Sequence, residues 1–121
     1  MAFQEQIAAR TYIASAAIPQ FTFVTMPDSN GQVGPLTSGA RSAGVALQAT
    51  TGANQSLAVA YDGRVQVLAG AGITAGAAVM SNASGRAITA TSTNTVLGYA
   101  LEGASNNQVI TIELARSERV V

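Results

Sequence analysis

The feature that most constrains this chain is a repeat of its own sequence after 53 to 55 residues. GVALQ (44–48) and NQSLAVAY (54–61) return in the same order as GYALE (98–102) and NQVITIEL (107–114), and Ile18 returns as Ile73. We predict a single domain over residues 1–121 with an internal repeat of about 10–61 and 64–114, joined at Asp62-Gly63. The alternative is chance similarity in a chain rich in Ala, Gly and Val. Because a unit of about 50 residues buries little surface alone, we expect the halves to close around one core with pseudo-two-fold symmetry.

Strand-like segments alternate with turn residues along the whole chain. In QVITIEL (108–114), Ile110, Ile112 and Leu114 fall on one face. In SLAVAY (56–61) Leu57, Val59 and Tyr61 do, and in RVQVLA (64–69) Val65 and Val67 do. Period-two patterns with turn signals roughly every 8 to 12 residues are typical of all-β sandwiches and barrels. We predict an all-β fold, a small β-barrel or β-sandwich built from two similar halves, with extended N- and C-terminal tails. The Asp62-Gly63 pair favours a type I′ hairpin between its flanking strands.

The composition removes most catalytic chemistries. The chain has no cysteine and no histidine, and all six basic residues are arginines. The usual general base, thiolate nucleophile and soft metal ligands are therefore missing. The six acids are scattered, and Asp28 and Asp62 sit in turn signals, where Asp usually accepts backbone hydrogen bonds. We expect no enzyme, no catalytic residue, no cofactor and no metal site.

The low charge of the chain limits the kinds of partner that it can bind. Only 10% of the residues are charged and the net charge is zero. Nucleic-acid binding needs a basic surplus, and a membrane span needs about 20 apolar residues, so we expect neither partner. We find no secretion signal and expect synthesis in the cytoplasm. A weakly charged surface is easy to bury, which favours extensive contact with other proteins.

The termini lie outside the repeat and carry apolar and arginine side chains. Such tails normally fray unless they dock onto something. We therefore predict an oligomer or capsid interface formed by residues of the two ends: Phe3, Ile7, Arg10, Arg116, Arg119, Val120 and Val121.

The pattern GVALQ…GRVQVLAG, GITAGAAV, VLGYALEGA and a final QVITIEL strand resembles a known family over roughly residues 44–114. This is the family of phage capsid cement, or decoration, proteins. The resemblance implies a structural protein on the outer surface of the virion capsid, where it clamps and stabilises major capsid subunits. It also implies a homo-oligomer, with a trimer favoured and a dimer possible.

A second hypothesis is a non-catalytic carbohydrate- or receptor-binding β-module of a virion. Sugar platforms need exposed aromatic side chains, whereas this chain has no Trp, three Phe and three Tyr. Phe21, Phe23, Tyr61 and Tyr99 are better candidates for core or interface positions.

Overall fold

The computed structural model describes residues 8–36, 41–91 and 95–120, with the side chains of 9–36, 41–91 and 95–114. Strands and turns make up these ranges, which confirms the predicted all-β fold, and no helix able to cross a membrane occurs in them. The ten strands are β1 (Ala8–Ala14), β2 (Phe23–Thr25), β3 (Gln32–Val33), β4 (Ser42–Ala46), β5 (Ser56–Asp62), β6 (Arg64–Leu68), β7 (Ala78–Ser81), β8 (Ala87–Thr89), β9 (Thr95–Ala100) and β10 (Val109–Val120).

The strands form two five-stranded sheets, one in each half of the chain. The first has the order β2-β4-β5-β1-β3 and the second β6-β10-β9-β7-β8. In the first sheet, an antiparallel bridge between Val24 and Pro35 joins β2 to the segment after β3. In the second, a parallel bridge between Ala69 and Ala87 joins the end of β6 to β8. Each sheet is therefore rolled up, with its edge strands brought together, and has an inner and an outer face.

The two sheets pair their residues in the same register. Val24–Gly44 and Ala46–Val59 of the first sheet match Val79–Gly98 and Ala100–Ile112 of the second. The bridge between Ile18 and Thr50 likewise matches that between Ile73 and Ala104. These registers support the repeat of about 10–61 and 64–114, whose origin by duplication stays a prediction.

Corresponding turns use corresponding side chains. The Asp28 Oδ1 atom accepts hydrogen bonds from the backbone N–H groups of Asn30 and Gln32, at 2.8 and 3.0 Å. In the second half Asn82 Oδ1 does the same for the residues two and four positions later, at 2.8 and 3.0 Å. The predicted turn role of Asp28 is thereby confirmed.

Gly44 and Gly98 lie where two strands approach closely. Gly44 has a φ of +147°, and a Cβ there would overlap the Ala60 carbonyl group. A Cβ on Gly98 would lie 2.5 Å from the Glu113 carbonyl oxygen. Glycine is needed because any side chain would push the neighbouring strand away.

The apolar side chains form two clusters. One fills the inner face of the first sheet: Ala14, Ile18, Val24, Val33, Ala46, Leu57 and Val59. The other combines the inner face of the second sheet with side chains of the first half: Phe23, Leu36, Val45, Ala60, Val65, Val67, Ala69, Ile73, Val79, Ala87, Leu97, Ala100, Ile110, Ile112 and Leu114. This burial confirms the predicted faces of β6 and β10, and on β5 it confirms Leu57 and Val59. Tyr61, on the same face of β5, is 39% exposed.

Two expectations are wrong. The strands on either side of Asp62-Gly63 do not form a hairpin, because β5 pairs with β1 and β4 while β6 pairs with β10. The halves also do not share one core through a two-fold axis. A two-fold would bring the same face of both sheets into the contact between the halves, whereas the first sheet contributes its outer face to that contact and the second its inner face.

Candidate functional site

A row of side chains on the outer face of the first sheet is buried by the second half. Phe23 pairs with Val45 and Val45 with Ala60, so the three lie side by side across β2, β4 and β5. All three are 0% exposed and belong to the cluster of the second half. The Phe23 N–H donates to the Gly85 carbonyl oxygen at 2.8 Å, which fixes this row against the second half.

The equivalent row on the second sheet is open. Ala78 pairs with Tyr99 and Tyr99 with Glu113, across β7, β9 and β10. Tyr99 is 42% and Leu101 41% exposed, and Glu113 is exposed as well. Leu47, the equivalent of Leu101, packs against the cluster that combines the second sheet's inner face with side chains of the first half. We call Ala78, Tyr99, Leu101 and Glu113 the outer patch.

The end of the inner face of the first sheet is also uncovered. The Arg10 guanidinium lies over the Tyr61 ring, 5.5 Å from its centre, and Tyr61 is 39% exposed. Tyr12 is half-buried and packs against the inner cluster. A guanidinium at this distance makes a weak cation–π contact, so it orients Tyr61 without burying it. We call Arg10, Tyr12 and Tyr61 the open end.

In the second sheet, the equivalent of the open end is covered by the first half. Val65, Val67 and Leu114 occupy these places and are buried in the cluster that holds the first half's row. Where the two halves meet, a shallow pocket is lined by side chains from both of them: Phe23, Ser42, Ala43, Gly44, Tyr61, Leu97 and Leu114.

Acidic side chains among the described residues accept hydrogen bonds from the backbone. The Asp62 Oδ1 atom accepts from the Gly63 N–H at 2.9 Å, and Glu102 Oε2 accepts from the Thr111 N–H at 3.0 Å. Among these residues no three His, Cys, Asp or Glu side chains are grouped as metal ligands would be.

The structure describes only some of the residues predicted to form an interface at the termini, and that interface stays a prediction. Arg10 lies in β1 and is exposed. Arg116 lies in the β10 backbone, where Arg119 pairs with Val96 and Val120 with Thr95. The C-terminal segment is thus the end of β10, where it pairs with β9. Phe3, Ile7 and Val121 lie outside the described residues.

Sequence reasoning missed the outer patch. GYALE and GVALQ have the same apolar pattern, so period alone does not separate exposed Tyr99 from buried Val45. The available signal was charge, because Glu113 stands in the second half where the first half has Ala60.

Residues 3–115 of the chain match the sequence model of a protein family described as phage cement protein. The chain belongs to the phage cement protein family. Its fold is similar to a solved structure, the N base of head fiber gp8.5 in bacteriophage phi29. The TM-score is 0.75 at 20% identity, and the match covers 94% of this chain and 98% of that one. No curated protein sequence matches this chain significantly.

Family membership gives this cement protein a structural role in the virion, in association with the phage capsid. The shared fold with the phi29 head fiber base covers nearly the whole chain, so both halves belong to the common architecture.

Proposed function

We propose that this cement protein binds the outer surface of an assembled phage head and clamps neighbouring major capsid subunits together. The family match over residues 3–115 is the observation that carries the proposal, because it spans both halves of the fold. The protein is made in the host cytoplasm and acts by binding alone, without catalysis. A chain without Cys or His and with 10% charged residues is in keeping with such a role.

The mechanism is thermodynamic linkage. A protein that binds the assembled shell and not the free subunits stabilises the shell by RT ln(1 + [L]/Kd), about 2.7 kcal/mol per site when the free protein is at 100 times Kd. The same gain recurs at every equivalent site of the shell. Linked copies add avidity, since later contacts become intramolecular.

The proposal includes a homo-oligomer, with a trimer favoured over a dimer because icosahedral shells offer three-fold and quasi-three-fold positions. Residues of the two ends contribute to the oligomer or capsid interface: Phe3, Ile7, Arg10, Arg116, Arg119, Val120 and Val121. The exposed position of Arg10 in β1 supports its inclusion.

A carbohydrate- or receptor-binding module is less well supported. The exposed tyrosines Tyr61 and Tyr99 belong to different surfaces, the open end and the outer patch, and a sugar platform needs its aromatic side chains on one face.

Co-sedimentation tests the proposal. Purified protein is mixed with assembled heads that lack it and, separately, with soluble major capsid subunits. We expect saturable binding to heads and none to free subunits. Equal binding to both, or binding to neither, contradicts the cement role.

A further inference from the structure

Within the chain the two halves pack head to tail. The outer face of the first sheet, with Phe23, Val45 and Ala60, covers the second half. The covered residues include Val65, Val67 and Leu114, which lie at the end of the second sheet's inner face. The two sides of this internal contact are different surfaces, so each half has one copy of each.

The apolar contact uses one surface of each half, and Tyr61 of the open end lies at its margin, where it lines the pocket between the halves. The second half still presents its own version of the covering surface, the outer patch. The first half still presents its own version of the covered surface, the open end. Six large apolar side chains are exposed among the described residues, and three of them, Tyr61, Tyr99 and Leu101, lie on these two surfaces.

The turns agree with this division. The position of a Cβ on Gly85 is 3.1 Å from the Phe23 carbonyl oxygen of the first half. Gly31 is the equivalent turn residue, with a φ of +75° against +78°, and has nothing within 4 Å. The turn that is covered in the second half is thus open in the first.

We propose that the outer patch of one copy docks onto the open end of a second copy, in the geometry by which the two halves pack inside one chain. The partner of both surfaces is this same protein. The inference rests on the homo-oligomer of the proposed function, and names its surfaces.

Charge favours a second copy as the occupant. Ala60 of the internal contact is replaced in the outer patch by Glu113, and Val65 is replaced in the open end by Arg10. An apolar side chain on each side thus becomes an acid on one surface and a base on the other. Opposite charges at an interface favour the correct partner and register.

The proposed contact joins unlike surfaces. A heterologous contact forms a closed ring when its rotation closes, and an open filament when it does not. Since each copy has one outer patch and one open end, a ring uses both in every subunit. A closed ring of three copies corresponds to the trimer favoured in the proposed function.

Sedimentation velocity of the full chain at several concentrations tests the surface. The double variant Tyr99→Ser, Leu101→Ser should weaken self-association at least about tenfold, as expected for exposed aromatic and apolar anchors. Val109→Ser is the matched control. Val109 is 44% exposed on the same face, but its equivalent Ser56 lies outside the internal contact. The control should assemble like the wild type.

Cross-linking tests the polarity of the contact. The chain has no native cysteine, so a bismaleimide reacts only with introduced thiols. Phe23 and Leu114 line one pocket, and their equivalents are Ala78 and Tyr61. Mixing Ala78→Cys protein with Tyr61→Cys protein should give cross-linked dimers, whereas each variant alone should give none.

The proposal is overturned if the wild type stays monomeric at all concentrations, or if Val109→Ser disrupts assembly as strongly as the double variant. Cross-linking within each single variant, and not in the mixture, overturns it too. Loss of head binding with an unchanged solution mass would assign the outer patch to the capsid instead. Solution mass and head binding are measured separately, so failure of this contact is distinguishable from failure of the cement role.

Discussion

Tyr99 occupies in the second sheet the place that Val45 occupies in the first, yet Tyr99 is 42% exposed and Val45 is 0% exposed. Both side chains lie on the outer face and flank a close strand approach at a glycine, Gly98 or Gly44. The difference comes from the packing between the halves, because one half covers the other only on one side. The repeated fold therefore has two copies of the same surface, one covered and one exposed.

The strand approach at Gly44 should not tolerate a methyl group. Gly44→Ala places its Cβ against the Ala60 carbonyl in a backbone conformation that L-residues avoid, and should lower the free energy of unfolding by about 2–3 kcal/mol. Gly52→Ala is the control, because nothing lies within 4 Å of a Cβ there, and should change it by less than about 0.5 kcal/mol. Urea unfolding measures both. Equal stability of the two variants would show that β4 and β5 can move apart at Gly44 without cost, which contradicts the prediction.

Phe23 should stabilise the junction between the halves. It is fully buried, and Phe23→Ala should cost about 3–5 kcal/mol through lost burial and a cavity. Met26→Ala is the exposed control, since Met26 is 49% exposed, and should be nearly neutral. Thermal or urea unfolding monitored by circular dichroism compares them. A Phe23→Ala protein as stable as the control would rule out the internal contact as a stabilising element.

The turn at Asp28 depends on an acceptor and not on a charge. Asp28→Ala removes the acceptor for two backbone N–H groups and should destabilise the protein by about 1 kcal/mol. Asp28→Asn keeps an amide oxygen in the same place, as Asn82 does in the second half, and should retain most of the stability. Unfolding midpoints in urea separate the two substitutions. If Asp28→Asn is as damaging as Asp28→Ala, the carboxylate charge contributes and the equivalence of the turns is incomplete.

The two ends of the chain should behave differently on truncation. Removing residues 116–121 takes away the pairing of Arg119 with Val96 and Val120 with Thr95, so it should lower both the melting temperature and the oligomer mass. Removing residues 1–7 leaves β1 and every described pairing in place, so it should change the oligomer mass with little effect on melting. Light scattering and calorimetry measure the two quantities. An unchanged mass in both truncated proteins removes the ends from the interface.

Binding to heads should respond only mildly to salt. Few exposed charges are available to screen, and the proposed contacts are short-range polar and apolar packing. Co-sedimentation at low and high ionic strength measures this. A steep loss of bound protein with salt would contradict this description of the interface, even if the protein still stabilises heads.

The sequence predicted the strand faces well, because burial of one face imposes period two on residues such as Leu57, Val59, Ile110 and Ile112. It failed where long-range packing decides. Asp62-Gly63 has the composition of a hairpin, but its flanking strands find partners elsewhere. Phe21 fits a strand pattern, yet it lies before β2 with a φ of +64°. The exposure of Tyr99 follows from the asymmetric contact between the halves, which no local pattern records.

The temperature at which heads release their DNA tests the cement role most directly. Heads with the protein bound, heads stripped of it, and stripped heads with purified protein added back are heated in parallel. The proposed function predicts release at a higher temperature from decorated and re-decorated heads than from stripped heads, because binding to the assembled shell lowers its free energy. Release at the same temperature from all three would contradict it.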